Sequence, residues 1–186
     1  MNVLDGLLVV IGLGSLLWGS YRQTVGMLIT WLGFYLSVIF AGTVVLLLES
    51  TYGVGANLAR SLWGSPGSFR PIQAMIFLVL GTIFFVVYEV VSRMIFPNPG
   101  IPELGFLDNL LGGIIGGALG LAAMAILGNL WRVVVSASWQ PYDLWVSLDA
   151  IYRTSILPLH LRPVLVIFNK TLLPFLVFQF PAVLVP

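Results

Sequence analysis

Asp108-Asn-Leu-Leu-Gly112-Gly-Ile-Ile-Gly116-Gly-Ala-Leu-Gly120 is the stretch that decides the fold. A carboxylate opens it, and glycines recur every four residues at Gly112, Gly116 and Gly120, with a second pair at Gly113 and Gly117. Residues four apart stack on one face of an α-helix. The run continues without a charge to Trp131, which predicts a membrane span with one smooth, close-packing side.

Composition agrees. Of 186 residues, 59% are hydrophobic and only 8% are charged, whereas a soluble domain has about a quarter of its residues charged. Lipid must therefore be the solvent for much of the chain. The length suits one compact domain. A net charge of +1 points to neither nucleic acid nor an acidic partner surface. The absence of cysteine excludes thiolate chemistry, disulfides and cysteine metal sites.

A span needs about 20 apolar residues, and the pattern predicts four, at about 3–19, 25–48, 71–96 and 109–131. The expected fold is an all-α integral membrane protein, a four-transmembrane-helix bundle over residues 1–135 with a membrane-associated tail over 136–186. The first span is short and carries Asp5, but Asn2 is placed to cap it and Asp5 lies where the helix dipole favours an anion. A cleaved signal peptide is the competing reading; the segment lacks a basic start and a small-residue cleavage pattern. The third span runs past Glu89 because Arg93, four residues on, can pair with it. Between spans, Leu58, Leu62 and Trp63 predict a short interfacial helix that breaks at Gly64-Ser-Pro-Gly67, and Pro97-Asn-Pro-Gly-Ile-Pro102 predicts a stiff turn.

The tail is apolar but interrupted by Pro158, Pro163, Pro174 and Pro181, and by Arg162 and Lys170. Short helices at the membrane surface or packed under the bundle are expected, with a kinked fifth span over 172–185 as the alternative. Both termini then share a side with Arg60, Arg70, Arg132, Arg153, Arg162 and Lys170, leaving Arg22 and Arg93 opposite. That bias predicts cytoplasmic termini.

Two carboxylates are candidate functional groups. Asp108 can cap its own helix, or bind a proton or cation at the membrane boundary. Glu89 can pair with Arg93, or stand as a lone buried carboxylate on a proton or substrate path. The glycine face of Gly112, Gly113, Gly116, Gly117 and Gly120 can close the bundle on itself or join two chains; Gly12, Gly14 and Gly19 offer a facing surface within the chain. No catalytic residue, metal ligand set or cofactor site is predicted. His160 is the only histidine and has no partner motif, and Ser15, Ser37, Ser92 and Ser155 have no base at recognisable spacing. No phosphate loop, zinc signature or dinucleotide fingerprint occurs.

The arrangement resembles the colicin V production protein (CvpA) family, small bacterial inner-membrane proteins. Three pieces carry the resemblance: Leu4-Asp5 opening an apolar helix, followed by Gly19-Ser-Tyr-Arg22 at a tight turn and a long second span; Leu104-Gly-Phe-Leu-Asp108 leading into Gly112, Gly116 and Gly120, similar to an Asp-Arg-x-x-Gly-x-x-x-Gly signature; and Ser155-Ile-Leu-Pro158, similar to a Ser-x-x-Pro element. The chain departs from the family with Asn109 and Leu119 where arginines are common, and with Gln23-Thr-Val-Gly-Met where Gly-Phe-Val-Arg-Glu follows the arginine. The resemblance implies a multi-pass inner-membrane protein linked to toxin export and envelope integrity. Together these readings predict a non-enzymatic scaffold or assembly and export factor, in contact with the bilayer and with other membrane proteins or a second copy, and not with nucleic acid. An accessory subunit of a larger membrane complex and a small transporter or channel are the alternatives.

Overall fold

A computed structural model describes residues 2–64, 69–97, 100–175 and 184–185, among which there is no strand. The helices are α1 (Val3–Tyr52), α2 (Val54–Trp63), α3 (Phe69–Ile95), α4 (Phe106–Val135), α5 (Tyr142–Arg153), α6 (Leu157–His160) and α7 (Arg162–Leu172). Three of them, α1, α3 and α4, are long and apolar enough to cross a membrane. The protein is thus an all-helical membrane protein.

Helix α1 is not one rod. Gln23 has φ 63° and ψ 177°, a conformation outside the helix and almost confined to glycine. The chain turns back there within a single residue. Residues 3–22 run antiparallel to α4, with Gly12 beside Gly120 and Met124, and Gly19 beside Gly112 and Gly116. Residues 24–52 run parallel to it: Thr24 meets Asp108, and Trp31 Nε1 donates to the Ile115 carbonyl at 3.0 Å. Helix α3 lies antiparallel to this second arm, through Thr30 and Glu89, Phe34 and Phe85, and Ala41 beside Gly81.

The connections follow their turn residues. Gly53 and Gly64, both at positive φ, bound α2, where glycine alone avoids a Cβ clash. Glu49 accepts the Gly55 amide at 2.7 Å. The break expected over 64–67 falls largely on residues outside those described, as do 98 and 99 of the proline-rich turn; Pro102–Leu104 forms one 3-10 turn.

The tail departs from a purely interfacial arrangement. Helix α5 has no buried residue, but α6 and α7 pack into the bundle's flank. Pro158 sits against Gly128, Phe168 meets Trp31 and Phe34, and Tyr35 donates its hydroxyl to the Thr171 carbonyl. Leu165, Phe168 and Leu172 are spaced three and four apart and are buried, so α7 has an apolar stripe that the core covers. Most of the 172–185 stretch proposed as a fifth span lies outside the described residues. At its far end the Leu184 carbonyl accepts from Asn169, and the Val185 carbonyl from Asn129 and Arg132.

Candidate functional site

The buried charges gather where the first arm of α1 ends. Arg22 is the last residue before the break, and helical geometry turns it inward beside Thr30 of the returning arm and Glu89 of α3. Its Nη2 lies 3.1 Å from Glu89 Oε2, and both side chains are buried. Thr30 donates its hydroxyl to Glu89 Oε1 and is fully buried. Arg93 approaches the same carboxylate at 3.5 Å, but is more than half exposed and also lies over the Trp18 ring at 5.8 Å. The i,i+4 pair expected for Glu89 is therefore present, yet it is the outer and longer contact. Arg22 is the principal partner, and its own Nε has no hydrogen-bond acceptor.

Sequence reasoning placed Arg22 as a flanking charge and missed this pairing. Arg22 and Glu89 are 67 residues apart, and no local spacing links them. Only the turn at Gln23 and the antiparallel register of α3 do so.

Asp108 lies close by on α4 and is 1% exposed. It was expected to satisfy amides of its own helix. Its Oδ1 accepts the Thr24 amide at 2.9 Å, its Oδ2 accepts the Ile101 amide at 2.9 Å, and its carbonyl accepts the Thr24 hydroxyl at 3.1 Å. The start of α4 has no side-chain cap. Asp108 thus caps another helix, the returning arm of α1, whose first amide is orphaned by the break at Gln23. A carboxylate at a helix start also meets the positive end of that helix's dipole.

The glycine face holds the same region together. A Cβ placed on Gly112 would lie 2.4 Å from the Gly19 carbonyl oxygen, and one on Gly116 would lie 2.3 Å from the Ser15 carbonyl oxygen. Gly113 and Gly120 face Ser20 and Ser15, with Gly12 behind, whereas Gly117 meets only Leu16 at 3.8 Å and Gly14 meets nothing. The stripe therefore packs within the chain, against Gly12 and Gly19.

At the opposite end Asp5 forms a similar clamp. It closes a capping box with Asn2 and accepts the Ile156 and Leu157 amides at 3.1 and 3.0 Å. Ser155 donates to Asn2 at 2.8 Å, which ties the Ser155–Pro158 element to the chain's beginning. His160 is exposed and bonds the Ile156 carbonyl through Nδ1. Ser37 and Ser92 bond carbonyls of their own helices. Among the described residues no three acidic or histidine side chains are grouped to hold a metal.

The arrangement neutralises buried charge and fixes three helix ends. No known family profile matches the chain, nor does any curated protein or any solved structure.

Proposed function

We propose that this chain is a four-span bacterial inner-membrane protein that works through its outward faces, as a scaffold or an assembly and export factor of the cell envelope. The observation that carries the reading is the employment of its two candidate carboxylates. Glu89 is held by Arg22, Thr30 and Arg93, and Asp108 by two backbone amides of other segments. Both serve to join helices, which leaves the exterior as the functional surface. Along α3 that exterior is an unbroken apolar ridge: Met75, Val79, Ile83, Val86 and Val90 are all more than half exposed. At spacings of three and four they form one face for lipid or a partner helix.

The reversal of α1 at Gln23 supports counting its arms as two crossings: residues 3–22 reach about 30 Å at 1.5 Å per residue, the thickness of the hydrocarbon core. Cytoplasmic termini follow from the lysine and arginine bias. Kinship with the CvpA family draws support from one departure. Where the family places glycine after the arginine, this chain has Gln23, in a conformation that glycine favours. Asn109 is exposed and Leu119 buried; with neither position basic, family roles that need those arginines do not transfer.

The test is gentle solubilisation of the chromosomally tagged protein, sizing by mass photometry, and mass spectrometry of whatever accompanies it. Specific membrane partners at variable stoichiometry support the scaffold; one fixed large assembly makes the chain a subunit. A bare particle of one or two copies overturns both.

A further inference from the structure

Between the two arms of α1 and helices α3 and α4 lies a cavity of about 240 Å³. Its walls include Trp18, Phe34, Phe77, Phe85, Leu119 and Ile126, and no charged side chain lines it. It sits at mid-membrane depth by the helices' own measure: Gly81 and Thr82 are near the middle of α3, Ser37 and Val38 near the middle of the returning arm, and Leu119 and Ala123 near the middle of α4. Its polar lining is hydroxyl, and Ser37 already donates its own to the Gly33 carbonyl.

The cavity is not sealed. Leu78, 45% exposed, and Thr82 stand at its α3 edge and continue into the outer face of that helix. A dry apolar void of about 150 Å³ readily takes a benzene molecule, so an opening of this size beside hydrocarbon does not stay empty. Vacancy would forfeit dispersion contacts along four aromatic walls. Three of the four aromatic residues make edge-to-face pairs, Trp18 with Phe85 and Phe34 with Phe85, and with Phe77 they give the cavity an apolar wall suited to a flexible chain.

We propose that this cavity is a binding site for one acyl chain of a bilayer phospholipid, entering sideways past Leu78 and Thr82. The inference rests on the membrane placement above. The absence of charge on the walls excludes a headgroup at this depth, and continuity with the lipid-facing surface supplies the route. The bound chain takes the place of missing side-chain volume between α3 and α4, so it stiffens the contact of α3 with the rest of the bundle.

Tryptophan quenching by phospholipids brominated deep in the acyl chain tests this in reconstituted vesicles. The part of the quenching lost in Trp18→Phe reports the cavity. Filling the slot by Ala123→Phe, or from the opposite wall by Gly81→Leu, should abolish that part; a Cβ on Gly81 meets only Ala41, at 3.7 Å. A Val79→Trp reporter on the outer face of α3 should be quenched in every background. If that reporter is quenched while the Trp18 component ignores both fillings, the site is refuted and the membrane placement stands. If neither is quenched, the membrane placement itself fails. A prenyl lipid rather than phospholipid released stoichiometrically from the purified protein also overturns the assignment.

Discussion

Replacing Gly116 and Gly117 by alanine, one at a time, should move stability in opposite directions. The two glycines are adjacent and share helix α4, so alanine's higher helix propensity favours both variants equally, by about 0.8–1 kcal/mol. Their surroundings differ. At Gly116 the new Cβ would lie 2.3 Å from the Ser15 carbonyl oxygen and 2.8 Å from Gly19 Cα, both backbone atoms. Carbon and carbonyl oxygen pack no closer than about 3.3 Å, so the first arm of α1 must retreat by about 1 Å. A gap of that size forfeits a quarter to a half of each contact's attraction along the seam, and overpacking of this kind costs about 1–3 kcal/mol. The retreat also pulls at Gly12 against Gly120 and Gly19 against Gly112, which pushes the cost to the upper end. At Gly117 the nearest atom is Leu16 Cδ1 at 3.8 Å, ordinary contact. Gly116→Ala should therefore lose about 1–2 kcal/mol net and Gly117→Ala should gain up to about 1 kcal/mol. Thermal unfolding of both variants in one detergent is the assay. Equal stabilities, or loss in Gly117→Ala matching that in Gly116→Ala, would refute the register assigned to this helix pair.

Removing Glu89 as Glu89→Ala should destabilise by about 3–5 kcal/mol, because Arg22 is left buried and unpaired; the double change Arg22→Met with Glu89→Met should recover most of the loss in the same unfolding assay. Asp108→Asn keeps one acceptor oxygen for two amides and should cost about 1–3 kcal/mol, with faster hydrogen exchange at Thr24 or Ile101 as its local mark. Gln23→Gly should stabilise, since relief of a glycine-only backbone conformation returns about 1–3 kcal/mol; unchanged or lower thermal stability would count against the break at that residue. The chain has no native cysteine, so single cysteines report topology directly: Asn57→Cys and Ile156→Cys should label from one side of sealed vesicles and Glu103→Cys from the other.

Much of the architecture was legible because it is periodic or compositional. Hydropathy located the long helices, the four-residue spacing of glycine found the smooth face of α4, and Gly12 and Gly19 were identifiable as its counterparts. The glycine at 64 marked the end of α2. What escaped were features that exist only after folding. Arg22 reads as an ordinary boundary charge until the turn at Gln23 brings Thr30 and Glu89 beside it. A turn between the spans at 3–19 and 25–48 was expected, but not its confinement to Gln23, because glutamine gives no signal of positive φ. The burial of α7 was hidden by the prolines in and around it, which argue against a span while saying nothing of the flank that Leu165 covers on α4 and Phe168 covers on the returning arm of α1.

Asp5 and Asp108 share a design that local reading could not supply. Each stands in the first turn of a long apolar helix, and each is fully or almost fully buried. Each accepts amide hydrogens from a helix start remote in sequence that has no side-chain cap of its own: Asp5 from Ile156 and Leu157 at the start of α6, Asp108 from Thr24 at the restart of α1. Near lipid an orphaned amide costs several kcal/mol, so these carboxylates determine where the remote helices can begin. One fixes the tail to the beginning of the chain, and the other fixes the returning arm of α1 to α4. The two clamps lie at opposite ends of the bundle with the glycine seam between them. The acidic positions are thus held by backbone donors of remote segments, whereas the neighbouring Asn109 is exposed.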